Sequence, residues 1–119
     1  MRDIMNRFSI NCHSSIRCGG DSMALWFDPF RVENTPGDED VIFVTHEHYD
    51  HFSPEDIRRV MKPDGVIVLP ESCQEAALAN AIRPQVAVPT HYGSIVGEMA
   101  DGDTFAAALD GGIRCVKLL

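Results

Sequence analysis

The chain has 119 residues, and its 18 acidic and 10 basic side chains give a net charge of −8. This length predicts a single domain covering residues 1–119, with a real but small core. An apolar fraction of 45% excludes disorder over the whole chain. The acidic balance argues against nucleic acid as a partner, because phosphate backbones repel a negatively charged protein.

The four cysteines are Cys12, Cys18, Cys73 and Cys115, and no two of them form a C-x-x-C pair. That spacing gives no indication of a zinc ribbon or of thioredoxin-type chemistry, and free thiols are typical of a reducing cytoplasm. No apolar run is long enough to span a membrane, and the first residues lack the hydrophobic core of a signal peptide. We therefore expect a cytoplasmic protein without a membrane partner.

The N-terminal third has the pattern of antiparallel strands. Apolar and polar residues alternate loosely over 5–17, which predicts one or two strands with a break near Asn11. The Gly-Gly-Asp-Ser sequence at 19–22 predicts a turn, and the apolar run 23–27 follows it. Together these segments predict a β-hairpin, which is followed by a polar loop at 33–40.

From residue 41 onward, strand and helix patterns alternate. Ser53 and Pro54 have the residue types of a helix cap and a first helical position. The predicted strands are 41–44, 66–69, 86–88 and 113–118, and the predicted helices are 54–62, 72–82 and 103–109. This alternation predicts an α/β fold of layered β-sheet and α-helix, with the N-terminal hairpin adding an antiparallel part.

Four candidate metal ligands follow the predicted strand 41–44 directly: His46, His48, Asp50 and His51. Open α/β sheets place their ligand crevices at the carboxyl ends of strands. Imidazole and carboxylate groups together suit Zn²⁺, and also Mn²⁺, Fe or Ni²⁺. The alternative is a polar loop with solvated or helix-capping histidines, but the density of the cluster favours metal binding.

His91 is a fifth candidate ligand. It follows the predicted strand 86–88 and lies close to Gly93, where the backbone can turn sharply. A structural histidine is the alternative. Because strand ends of a parallel sheet gather at one edge, we expect His91 to reach the same crevice as the first cluster.

The sequence THEHYDH at 45–51 resembles the H-x-H-x-D-H signature of the metallo-β-lactamase superfamily. With the stretches 11–15, 26–30 and 75–97, it is similar to the branch of L-ascorbate-6-phosphate lactonase-like and predicted Zn-dependent hydrolases. The resemblance implies that His46 and His48 bind one metal, and that Asp50, His51 and His91 bind a second. It also places His13 and Asp28 near the active site, as residues that support the ligands.

The sequence also departs from that family. Family members carry a third histidine and a bridging aspartate between the motif and the late histidine, whereas residues 52–90 of this chain contain no histidine. We therefore interpret the chain as a truncated form that lacks the middle of the family pattern. The tripeptide Gly102-Asp103-Thr104 matches the missing one in letters, but it follows His91, and Asp103 is better explained as a helix-capping or first-turn residue.

These observations lead to two functional hypotheses. The first is a metal-dependent hydrolase that acts on an ester, lactone or phosphoester of a small molecule, with Asp50, His51 and His91 binding zinc and activating water. The second is a catalytically inactive metal-binding remnant that serves as a binding or assembly module. A shortened sheet exposes edges, so we also expect a homodimer.

Overall fold

The computed structural model describes residues 2–34, 36–46, 48–70, 79–90 and 99–117. The helices are α1 (Arg2–Met5), α2 (Pro54–Val60) and α3 (Met99–Ala108), and residues 79–82 are also helical. The strands are β1 (Phe8–Cys12), β2 (Ser15–Gly19), β3 (Ala24–Phe27), β4 (Glu39–Phe43), β5 (Met61–Pro70), β6 (Val86–Thr90) and β7 (Arg114–Cys115). Within these ranges, no helix is long and apolar enough to cross a lipid bilayer.

The strands of the described residues form one seven-stranded sheet, in which they lie side by side in chain order. β1, β2 and β3 pair antiparallel, and the neighbours from β3 to β7 pair parallel. The hairpin expected around residues 19–22 is confirmed as β2–β3, with Gly19 opposite Ala24. The fold is therefore α/β with a mixed sheet, as the alternation of patterns predicts.

This topology brings the β1–β2 turn and the ends of the parallel strands to one edge of the sheet. The carboxyl ends of β3, β4, β5 and β6 meet there because these strands run in the same direction. β2 runs opposite to β3, with Ile16 paired to Phe27, so the start of β2 lies at that edge too. His13 in the β1–β2 turn and Asp28 after β3 both have left-handed backbone angles, with φ of 55° and 50°.

The core lies between the central strands and the helices. Ile42, Ile67 and Ala87 are fully buried on β4, β5 and β6. Helix α2 contributes the fully buried Ile57, and α3 contributes Phe105. These side chains belong to one hydrophobic cluster, so the helices and the central strands share a single core.

The largest difference from the sequence prediction lies at residues 61–70. Helix α2 ends at Val60 instead of residue 62, and β5 begins at once and includes residues 63–65, which the sequence prediction leaves between the helix 54–62 and the strand 66–69. The pairing with β4 shifts register between Met61 and Val66, so the intervening residues form an irregularity in which Pro63 needs no ladder N–H. A Cβ on Gly65 would lie 2.4 Å from Cγ of Met61, so this irregularity requires glycine.

Several boundaries near the N-terminus also differ from prediction. The break in the first strand region lies at residues 13–14, because the β1–β2 turn is there instead of near Asn11. The predicted loop 33–40 is shorter, since β4 begins at Glu39, whose buried carboxylate pairs with Arg17 of β2. Helix α1 has no counterpart in the prediction, because its four residues are too few to show a helical period.

The C-terminal boundaries differ in a similar way. β6 extends to Thr90 through pairing with β5, and only 79–82 of the predicted helix 72–82 lie within the described residues, where they are helical. Helix α3 spans Met99–Ala108, so the prediction that Asp103 caps it or stands in its first turn is wrong. The last strand is Arg114–Cys115 and not 113–118, because the Ile113 N–H donates to Asp110 in a turn, and residue 118 lies outside the described residues.

Candidate metal centre

Asp28 supports the site through a buried carboxylate at the end of β3. Its side chain is almost fully buried, and its backbone N–H donates to the carbonyl of Phe43 at 2.8 Å. Oδ1 accepts from the backbone N–H of Thr45 at 2.8 Å, and Oδ2 accepts from the Thr45 hydroxyl at 2.7 Å. His51 Nδ1 also lies 2.7 Å from Oδ2. Asp28 therefore connects the end of β3 to both ends of the histidine loop.

These hydrogen bonds determine which nitrogen of two histidines is available to a metal. The Asp28 carboxylate only accepts, so His51 donates from Nδ1, and in the neutral imidazole the lone pair is on Nε2. Thr45 gives its one hydroxyl proton to Asp28, so it accepts from His46 Nδ1, which lies 2.9 Å away. His46 therefore keeps its lone pair on Nε2 as well. A carboxylate behind a ligating imidazole is the usual support of metal-binding histidines.

Three possible metal donors lie close together next to Asp28: His13, Asp50 and His51. Oδ2 of Asp50 lies 3.3 Å from Nε2 of His13 and 3.4 Å from Nε2 of His51. One potential ligand atom from each of these three residues lies within 4.8 Å of the others. Two imidazoles and a carboxylate are a donor set that zinc and related transition metals accept. The residues present therefore fit a divalent metal ion.

His46 and His48 are arranged differently. The His46 ring lies 3.9 Å from the His51 ring and 4.6 Å from the His48 ring, measured between centroids. Across the described ranges these two histidines do not form a group of three donors with any other residue. The loop itself is tied at His48, whose carbonyl accepts from the N–H groups of His51 and Phe52 at 2.9 and 2.8 Å. Phe52 is buried and anchors the loop in the core.

Some of the site residues predicted from sequence are in direct contact in the structure, and others are not. His13, Asp28, Asp50 and His51 are in direct polar contact, whereas His46 is joined to them through Thr45. His91 lies outside the described residues, and in the sequence it follows Thr90, the last residue of β6.

Asp103 and Thr45 differ from the sequence prediction in their roles. Asp103 pairs with Lys117. Thr45 has a supporting role that the sequence argument did not assign to it, and a hydroxyl residue directly before the histidine motif is the signal that indicates one.

A cavity of about 490 Å³ adjoins the turn that carries His13. Asn11 and Cys12 of β1 line it on one side, and Trp26 of β3 and Arg31 line it on the other. Trp26 is held there by a hydrogen bond from its indole N–H to the Ser15 hydroxyl at 2.8 Å. The size of this cavity is in the range of small-molecule sites, and its lining combines an apolar ring with amide and guanidinium groups.

No family model matches the chain. A UPF0173 metal-dependent hydrolase of Salinibacter ruber is 36% identical in an alignment of 84 residues that covers 60% of this chain and 36% of that protein. A protein of Mycolicibacterium smegmatis, proposed to be a Rieske 2Fe-2S iron–sulfur protein, is 49% identical over 35 residues, or 29% of this chain and 7% of that one. The chain therefore spans about a third of the first relative and a small part of the second.

A solved structure of a protein proposed to be a metal-dependent hydrolase, from Parabacteroides distasonis, covers 92% of this chain and 91% of its own. The sequence identity is 16% and the TM-score is 0.40, so the structural similarity is low. The sequence relative supports a metallo-hydrolase-like family for this chain. It does not distinguish the lactonase-like branch from others.

Proposed function

We propose that the chain is a metal-dependent hydrolase-like protein that acts on an ester, lactone or phosphoester of a small molecule. Asp50, His51 and His91 bind the catalytic metal. Zn²⁺ is the metal proposed, and Mn²⁺, Fe and Ni²⁺ are the alternatives. The observation that carries the proposal is the orientation of His51. Its Nδ1 donates to the buried Asp28, and its Nε2 lies 3.4 Å from the Asp50 carboxylate. The similarity to the Salinibacter hydrolase supports the same reading.

A bound divalent metal supplies a Lewis acid that lowers the pKa of water toward about 7 and polarises a carbonyl or phosphoryl oxygen. The chain's own residues prepare the position for it. Asp28 holds the proton of His51 on Nδ1, so that Nε2 is free to bind. Asp50 contributes negative charge beside two imidazoles and can accept a proton during hydrolysis.

Substrate binding is assigned to the cavity beside the β1–β2 turn. The indole of Trp26 offers an apolar wall, and Arg31 offers a guanidinium that can pair with an oxyanion. Because Cys12 lines this cavity and precedes His13 directly, a small molecule bound there lies next to the cluster of donors. His46 and His48 form the second, weaker metal position of the proposal, which needs a further ligand to hold an ion firmly.

The test uses a matched pair of aspartate-to-asparagine variants. Asp50→Asn should lose both bound metal and turnover on a panel of esters, lactones and phosphodiesters. Asp110→Asn changes an exposed aspartate that pairs with Arg83, and it should keep both. Chelation should abolish turnover of the wild-type protein, and added zinc should restore it. Turnover that survives chelation would refute the proposal.

A second candidate function is a metal-binding module without catalysis. One observation favours it: His46 and His48 have no third donor among the described residues. Metal-loaded protein that stays inert across the whole substrate panel would support this reading over hydrolysis. Turnover above that of the Asp50→Asn variant would exclude it.

A further inference from the structure

We infer that His13, in the turn of the N-terminal hairpin, binds the metal directly together with Asp50 and His51. This inference rests on the metal site of the proposed function. It goes further because the family resemblance gives His13 only a supporting role near the ligands. It makes the site one in which the antiparallel part of the sheet provides a ligand.

The first argument is the hydrogen-bond chemistry around Asp50. His51 donates its proton from Nδ1 to Asp28, so its Nε2 presents a lone pair. Oδ2 of Asp50 also presents lone pairs, and it lies 3.4 Å from that nitrogen and 3.3 Å from Nε2 of His13. Two acceptors that face each other repel unless a proton or a metal ion lies between them. The arrangement therefore selects a positively charged occupant, and a third donor from His13 completes a set suited to a metal ion.

The second argument is the local backbone. His13 has a φ of 55°, a conformation in which non-glycine residues are uncommon and which is concentrated at functional sites. The pairing of β1 with β2 shifts register between Ile10 and Cys12, just before this turn. Bulges of this kind redirect side chains next to sites. The Asn11 amide fixes the same turn from the other side by donating to the carbonyl of Phe30 at 2.6 Å.

The third argument is exposure, which indicates how a metal would enter. The His13 side chain is 62% exposed, compared with 24% for Asp50 and 15% for His51. His13 is thus the outer donor of the group, and the inner pair is held by Asp28. A metal bound by all three would tie the hairpin to the loop after β4. Its binding should therefore stabilise the N-terminal strands as well as the loop.

The experiment compares three variants of the full chain by zinc competition against a chromophoric chelator. His13→Asn removes the imidazole and keeps a residue type that tolerates left-handed backbone. It should weaken zinc binding by more than the roughly 100-fold that loss of a supporting residue costs. Cys18→Ala removes a thiol of the same hairpin that lies outside the donor group, and it should leave the zinc affinity unchanged. His51→Ala tests the proposed site itself and should abolish binding.

A second measurement does not depend on any variant folding correctly. In histidine-selective ¹⁵N NMR of the wild-type protein, added zinc should shift the Nε2 signals of both His13 and His51. If the His13 signal stays in place and His13→Asn binds like the wild type, while His51→Ala loses zinc, the inference on His13 is overturned and the proposed function stands. If the wild-type protein binds no zinc, manganese, iron or nickel, the proposed function itself is overturned.

Discussion

The imidazole of His51 donates from Nδ1 to the buried carboxylate of Asp28, and the two atoms are 2.7 Å apart. Asp28 is itself held by the backbone N–H and the hydroxyl of Thr45. The proposed metal site depends on this relationship, because it fixes the orientation of the ring and leaves Nε2 of His51 as the nitrogen available to a metal.

Asp28→Asn should therefore weaken zinc binding by about 10–100-fold. Oδ1 must still accept from the Thr45 N–H, so the new amide NH₂ would face His51 and force its proton from Nδ1 to Nε2. Chelator competition measures the change. Asp21→Asn, at an exposed aspartate that pairs with Arg7, is the matched control and should bind like the wild type. Equal zinc affinity in the Asp28 variant would show that the carboxylate does not set the tautomer.

Gly65→Ala should lower the free energy of unfolding by about 1–3 kcal/mol, because overpacking at a tight site forces its surroundings to move. The new Cβ would lie 2.4 Å from Cγ of Met61 and 2.9 Å from the carbonyl oxygen of Lys62. Urea denaturation measures this. A Cβ on Gly111 would have no atom within 4 Å, so Gly111→Ala is the control and should be nearly neutral. Equal stability of the two variants would contradict the packing described for β5.

Asp56 should make stability depend on acid pH. Burial raises the pKa of its carboxyl, but hydrogen bonds from Ser53, the backbone N–H groups of Val32 and Arg31, and Arg59 outweigh burial and lower the pKa below 3.8. Since the folded pKa lies below the unfolded one, the stabilisation is fully present above about pH 3.8 and is lost as the pH falls through the folded value.

The variant Asp56→Asn checks this dependence. It should unfold more easily than the wild type near neutral pH, by about 1–3 kcal/mol, because an amide NH₂ replaces one carboxylate oxygen and one of the two backbone donors loses its acceptor. The difference should shrink below the folded pKa, where the wild-type carboxyl is protonated too. Urea unfolding of both proteins over a pH series gives the answer. A difference that stays constant with pH would refute the assignment.

The homodimer stays a prediction, and β1 is the strand on which to test it. It lies at the edge of the sheet, and its apolar residues Phe8 and Ile10 are 46% and 72% exposed. An edge strand with exposed apolar side chains can pair with a second copy. Ile10→Lys should convert a dimer into a monomer in light scattering, whereas Met99→Lys, at an exposed position on α3, should not. A monomeric wild-type protein at micromolar concentration would contradict the prediction.

Local pattern was enough to predict the parallel strands and the loop after β4 that carries the histidine motif. The apolar runs around Ile42, Ile67 and Ala87 are buried strands, as continuous hydrophobic segments indicate. The position of His13 could not be derived in the same way. It depends on β2 running antiparallel to β3, which brings a distant turn to the ends of the parallel strands.

Two other features could not be predicted from local sequence, because they also depend on contacts between segments that are distant in the chain. Residues 63–65 were predicted to separate a helix from a strand, and they lie in β5 because Met61 before them and Val66 after them both pair with β4. The buried role of Asp28 likewise depends on a partner, Thr45, from the next strand end.

Elemental analysis of the protein as purified tests the central claim most directly, when the wild type is compared with His51→Ala. The account predicts at least one equivalent of a transition metal per wild-type chain and almost none in the variant, because His51 is the donor that Asp28 holds in place. Two equivalents would mean that His46 and His48 also hold an ion. A wild-type protein without metal, even after incubation with zinc, manganese, iron and nickel, would contradict the account.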